Sequence, residues 1–231
     1  MTAGTQDLKL DLGPGLGVVS ALLERPPDAW LLYVLAHGAG AGMRHSFLGS
    51  IAAALAGRGV ATMRYQFPYM EAGKRRPDTP AVAEATVRAV VSQGALAAPG
   101  LPLIAGGKSF GGRMTSSAAA SSLPEVRGLA FLGFPLHPPG RPGTRRADHL
   151  ARVELPMLFL QGTRDQFAQT DLITGVCQRL GGRATLHPVE GADHSFGVLK
   201  SSGRTPAAVL EDLADTLVQW VRTQVLRQDR R

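Results

Sequence analysis

Apolar residues fall into short blocks along this chain, and the blocks alternate between two spacings. Trp30 to Ala36 is an almost unbroken apolar run and Leu101 to Ala105 a shorter one, the mark of strands buried on both faces. Val60 to Phe67, Val126 to Phe134, Pro156 to Gln161 and Ala184 to Val189 read as further strands. Between them the spacing becomes helical. Phe47, Ile51 and Leu55 share one face of a segment over Phe47 to Ala56, closed by Gly57 and Gly59. Thr79-Pro80 opens a helix running to about Gln93, small residues predict another over Gly111 to Ser122, and Leu172 to Leu180 predicts a third. The last, Ala207 to Leu226, turns Val209, Leu213, Leu217 and Trp220 inward. Upstream of all this, Leu8 to Leu12 and Val18 to Leu23 flank Gly13-Pro14-Gly15 and predict a hairpin or two edge strands. Strands alternating with helices predict an α/β fold: a mostly parallel sheet of about 7–8 strands, joined by right-handed crossovers and covered on both faces.

Composition sets limits on this picture. With 231 residues, 44% of them hydrophobic, the chain can bury one large core, so a single domain over 1–231 is expected, with loose ends at 1–6 and 227–231. The net charge of +7 raises the question of nucleic acid. Yet the basic residues are scattered apart from Lys74-Arg75-Arg76, Arg145-Arg146 and the terminal Arg227 to Arg231, and no aromatic residues are interleaved to stack bases. No nucleic-acid role is expected. Cys177 is the only cysteine and lies in a helical segment, which suits a core residue in a reducing compartment and rules out an intrachain disulfide. No signal peptide or membrane span is visible, so the expected location is cytoplasmic, with no membrane partner.

Chemistry concentrates where predicted strands end. Gly107-Lys108-Ser109-Phe110-Gly111 fits G-x-S-x-G between a strand and a helix, the context of a nucleophile elbow. The sharp turn would project the Ser109 hydroxyl into a cleft and aim the Phe110 amide at a developing oxyanion. A P-loop reading fails because it requires glycine at position 102, where Pro102 stands. His37-Gly38-Ala39-Gly40-Ala41-Gly42 follows the Trp30 to Ala36 strand. As a dinucleotide fingerprint it lacks its third glycine, because Met43 occupies that position; Arg64 is the residue that could greet a 2′-phosphate in that reading. As an oxyanion loop it would supply a second amide, from Ala39 or else Gly40.

Two further strand ends carry Gly162-Thr163-Arg164-Asp165 and Asp193-His194. A serine hydroxyl needs a base to take its proton during attack, and a base of this kind needs an acid to hold its tautomer. Ser109, Asp165 and His194 supply all three in the order nucleophile, acid, base, each at the same edge of the sheet. Asp193 is a rival acid, but it adjoins His194 in sequence and is badly placed for the same ring nitrogen. Around these residues, Tyr69 and Met70 are candidate pocket walls in the loop Pro68 to Asp78. His137 sits at the catalytic edge in Pro135-Leu136-His137-Pro138-Pro139-Gly140, where a scaffold role competes with a pocket role. Only about twenty residues separate the strands here, too few for the helical cover many lipases carry, so no substantial lid is expected.

Over residues 30 to 220 the chain resembles α/β-hydrolase fold proteins of the dienelactone-hydrolase-like group. It is most similar to a small lidless family that includes hydrolase-like subunits of an animal histone-acetyltransferase complex and their bacterial relatives. The residues carrying the likeness are His37-Gly38-Ala39-Gly40, Phe67 to Glu71, Gly107 to Arg113, Pro135 to Gly140, Gly162 to Asp165 and Asp193 to Phe196. The resemblance implies the α/β-hydrolase fold and an intact Ser-Asp-His set without metal or cofactor. Dienelactone hydrolases use cysteine as nucleophile, so Ser109 argues against that activity. The expected function is hydrolysis of a carboxylic ester or thioester with a short acyl group. The alternatives are a hydrolase-shaped scaffold with a slow or vestigial site, and an acyltransferase using the same residues. A small-molecule ester is the expected partner, and a protein partner or a second copy of the chain is left open.

Overall fold

Continuous β-branched and aliphatic runs need cover on both faces, and the computed structural model, which describes residues 4–226, provides it. Eight strands run in chain order as Thr5–Asp11 (β1), Val18–Glu24 (β2), Leu31–Ala36 (β3), Val60–Tyr65 (β4), Leu103–Lys108 (β5), Val126–Leu132 (β6), Met157–Gly162 (β7) and Ala184–Val189 (β8). They form one sheet in the order β1-β2-β4-β3-β5-β6-β7-β8. The β1–β2 pair is the expected hairpin, and β2 joins β4 antiparallel; every later pairing is parallel. The loose end expected over 1–6 is shorter than that, because Thr5 and Gln6 pair with Glu24 and Leu23. Residues 1–3 and the segment 227–231 lie outside the described residues.

The helices are Ser46–Ala56 (α1), Pro68–Glu71 (α2), Pro80–Ala97 (α3), Phe110–Ala119 (α4), Thr170–Leu180 (α5) and Pro206–Trp220 (α6). Alternate residues of β3 show how the two layers are shared. Leu32, Val34 and Ala36 pack into a core with α3, α4 and α5, while Leu31, Tyr33 and Leu35 pack into a second core with α1 and α6. Each fully buried Leu or Phe in these layers contributes about 1.5–3 kcal/mol of transfer free energy. Among the described residues no helix is long and apolar enough to cross a membrane.

Three boundaries differ from the expected ones for visible reasons. The loop after β4 opens with the short helix α2, whose Glu71 takes the Ser20 amide at 2.9 Å, the Ser20 hydroxyl at 2.8 Å and Lys9 Nζ at 2.9 Å. Glu71 thus ties α2 to the hairpin. Helix α3 continues past Gln93 because Gly94 lies flat against β3, where a Cβ would come within 3.1 Å of Val34. Helix α6 gives way after Trp220 to a π-helical turn, Val221–Val225. Between β6 and β7 the chain forms one 3₁₀ stretch, Arg145–Arg152, held down by buried Ala147 and Leu150. Among the described residues no substantial lid covers the carboxyl edge of the sheet.

Candidate active site

Strand β5 is the centre of the sheet, wedged between β3 and β6, and it delivers Ser109 directly into α4. The wedge explains the glycines. A Cβ on Gly107 would stand 2.3 Å from the Ala36 carbonyl oxygen, and one on Gly111 would stand 2.6 Å from both Ala36 Cβ and the His37 carbonyl oxygen. No side chain fits at either position. Ser109 turns the corner at φ 50°, ψ −112°, a conformation that costs a non-glycine residue about 1–3 kcal/mol. The backbone holds it there: its N–H donates to Leu132 O at 3.2 Å and its carbonyl accepts from Arg113 N at 3.0 Å. Phe110 is the first helical residue, so its N–H has no acceptor within the helix.

The loops after β7 and β8 bring the partners. Ser109 Oγ lies 2.9 Å from His194 Nε2, and His194 Nδ1 lies 2.7 Å from Asp165 Oδ2. Facing a carboxylate, Nδ1 carries the ring proton, which leaves Nε2 as the acceptor for the serine hydroxyl. The Asp165 side chain is fully buried, yet each oxygen is satisfied: Oδ2 also accepts from Gln161 Nε2 at 2.6 Å, and Oδ1 accepts from Phe167 N at 2.7 Å. Gln161 is fixed in turn by accepting from Phe134 N at 2.8 Å. Asp193 points elsewhere: its Oδ1 accepts from the Ser195 and Gly197 amides at 2.8 and 2.9 Å and shapes the turn that carries His194.

Lys108 braces that turn from below. Its ammonium donates to the His194 carbonyl and sits 5.3 Å from the Phe196 ring centroid. Burial pulls its pKa down to about 8, against the opposing pull of Asp165 and Asp193. Neither Lys108 nor Gln161 was singled out from the sequence. A polar residue closing the apolar run Met157 to Leu160 was the available signal for Gln161.

The glycine-rich loop after β3 is fixed by two side chains. His37 is fully buried, and its Nε2 accepts from Phe67 N at 3.1 Å, so the ring proton sits on Nδ1 and is donated to Gly38 O at 2.8 Å. Burial lowers its pKa to about 4, with the Gly38 bond opposing, and the ring stays neutral. Tyr69 donates its hydroxyl to Ala39 O at 2.7 Å. Because a trans peptide sets C=O and N–H on opposite sides, pinning the Gly38 and Ala39 carbonyls also aims the Ala39 and Gly40 amides. A cavity of about 400 Å³ opens over Ser109, walled by Gly38 to Ala41, Phe47, Phe167 and His194. Phe167 packs against the His194 ring with centroids 4.3 Å apart.

The three weaker pocket candidates lie outside this cleft. Tyr69 is buried behind the loop it supports, so its contribution is to loop geometry rather than to the wall. Met70 packs against the core on the α3 side. His137 is buried with Nδ1 2.9 Å from Pro138 O and lines a separate cavity. Cys177 is buried in α5, and burial pushes its thiol up to about 11, so it is no nucleophile. Among the described residues no group of three or more His, Cys, Asp or Glu is placed to hold a metal ion.

Known structures share this architecture. A lidless α/β serine hydrolase from Xanthomonas campestris matches with a TM-score of 0.73 at 22% identity, over 97% of each chain. A dienelactone hydrolase from Anabaena variabilis matches at 0.71 and 19%, over 94% of this chain and 97% of that one. An esterase domain from Rhodothermus marinus matches at 0.71 and 18%, over 95% and 98%. At such identities the likeness is one of fold. The model of the alpha/beta hydrolase domain matches residues 29–222, which span every element from β3 to α6 together with the elbow, the glycine loop and both partner loops. The chain therefore belongs to the alpha/beta hydrolase domain family.

Proposed function

We propose that this protein is a serine hydrolase that cleaves a carboxylic ester or thioester with a short acyl group. The observation that carries the reading is the unbroken hydrogen-bonded chain from Ser109 Oγ through His194 to a buried, fully satisfied Asp165. Ser109 attacks the carbonyl carbon as His194 Nε2 takes the hydroxyl proton, and the oxyanion is held by the Phe110 amide with that of Ala39 or Gly40. The imidazolium then gives its proton to the departing alcohol or thiol, leaving the acyl group on Ser109. A water, deprotonated by His194, attacks that acyl carbon, and collapse returns the proton to Ser109 and releases the acid. Asp165 holds the imidazole tautomer and offsets the charge that appears on it. Esterase and serine-hydrolase neighbours of the same fold support the reaction class, and the open cleft supports a small acyl group.

The test is hydrolysis of p-nitrophenyl esters from acetate to palmitate by the wild type and Ser109→Ala. Turnover abolished by the substitution, with an optimum at short chains, is the expected result. Fluorophosphonate labelling that persists in Ser109→Ala would overturn the assignment of the nucleophile.

A further inference from the structure

One turn beyond the nucleophile, a second cavity concentrates positive charge. It measures about 450 Å³ and is lined by Arg113, Arg141, Arg145 and Arg146, with His137 and Leu136 in its wall. It adjoins the catalytic cleft but is separate from it. Leu136 N and His137 N both donate to Phe167 O, and Phe167 is a wall of the Ser109 cleft. Arg113 N, for its part, donates to Ser109 O.

Arginine side chains that leave water are ordinarily paired, because a guanidinium removed from solvent without a counter-charge is costly. Arg113 is only part-exposed, and its basicity is lowered first by burial and then by the like charge of Arg146, with Glu84 opposing. Glu84 itself is engaged by the Ser117 hydroxyl at 2.6 Å and faces Arg88 at 3.9 Å. Among the described residues no carboxylate forms an ion pair with Arg113, Arg141, Arg145 or Arg146, and no carboxylate lines the cavity. His137 adds no charge of the opposite sign, and its Nδ1 proton is committed to the Pro138 carbonyl. Four fork-shaped donors therefore line a space whose remaining surface is histidine, leucine, proline and glycine, and among the described residues none of the four is held in an ion pair.

We propose that this cavity is a binding site for a small organic anion, whose phosphate or carboxylate head is held by the arginines while its body rests on the apolar wall. Planar guanidinium groups bind both heads with paired hydrogen bonds, and the volume suits a small molecule rather than a polymer. The site goes beyond the hydrolase reading, and its occupancy is measured without turnover.

Isothermal titration of the wild type at low ionic strength with inorganic phosphate, and separately with succinate, reads the site directly. Saturable binding of at least one is expected, and the one that binds identifies the head group. Arg141→Ala and Arg146→Ala each remove one cavity donor and should each weaken binding about tenfold, the loss of one charge-assisted contact. Arg75→Ala, an exposed arginine in the loop after α2, should leave it unchanged. Failure of both anions to bind saturably would overturn the proposal. So would wild-type affinity in both cavity variants, or equal weakening in Arg75→Ala, which would mark a diffuse field instead of a site.

Discussion

Replacing Asp165 by asparagine puts an NH₂ group into a site where every neighbour is a donor. Gln161 Nε2 at 2.6 Å and His194 Nδ1 at 2.7 Å share one oxygen, and Phe167 N at 2.7 Å uses the other. If the new amide faces His194, it meets the Gln161 NH₂ head-on and forces the imidazole into the other tautomer, with its proton pointing at Ser109. If it turns round, it meets the Phe167 N–H instead. Gln161 cannot flip to help, because its own oxygen is taken by Phe134 N. Either orientation leaves a buried donor unsatisfied, which should cost about 1–3 kcal/mol of stability. The catalytic loss is larger. A carboxylate and an imidazolium with centres about 4 Å apart attract by about 4 kcal/mol at an effective dielectric of 20, worth roughly 10³ in rate. Tautomer inversion raises the loss toward about 10⁴. The assay is kcat on p-nitrophenyl acetate for Asp165→Asn, with urea unfolding of the same samples. A folded variant that keeps about a tenth or more of wild-type kcat would refute the reasoning, because neither charge nor tautomer would then matter.

Three further outcomes are expected. Gly107→Ala should lose about 3 kcal/mol or more, or fail to fold, because its Cβ would overlap the Ala36 backbone; a melting temperature like the wild type's would contradict the wedge. Tyr69→Phe should keep the fold but release the Ala39 carbonyl, lowering kcat by about tenfold, in line with one buried hydrogen bond, with little change in KM. His37 and His149 are both held near pKa 4 by burial, below their ordinary 6.5. As pH falls from about 6.5 to about 4 the unfolded chain takes up protons that the folded chain refuses, so stability drops across that window. In His149→Gln the slope of the urea midpoint against pH should be visibly shallower than in the wild type; an identical slope would remove His149 from the account.

The strand ends were the most legible part of the chain, because a parallel strand buried on both faces writes itself as an apolar run and its loop begins where the run stops. Ser109, Asp165 and His194 were readable for that reason: each follows such a run, and the structure brings them into one hydrogen-bonded line. What lay behind them was not. The Gln161 contact to Asp165 depends on two side chains crossing the start of one loop, and the Lys108 contact to the His194 carbonyl on two strand ends 86 residues apart. Neither leaves a periodic trace. Tyr69 was noticed as a residue at the ligand edge, but its hydroxyl turns toward the Ala39 carbonyl, a direction set by helix α2, which a four-residue pattern could not announce. Gly94 shows the opposite error, a nominal helix breaker seated inside a helix where a Cβ would press to 3.1 Å of the Val34 side chain.

The order of the sheet also has a kinetic meaning. Strands β5, β6, β7 and β8 stand side by side in the sequence in which they occur along the chain, and Ser109 leaves the first of them while His194 follows the last. Ser109 and His194 are 85 residues apart, and their meeting requires both intervening strands to have docked. Local helices can form in microseconds, but parallel pairing of this span must wait for the loops between to be closed. A refolding chain would thus regain most of its secondary structure while Ser109 is still an ordinary, unreactive serine. Its reactivity would return in the slowest phase, as the mark that the last strand has arrived.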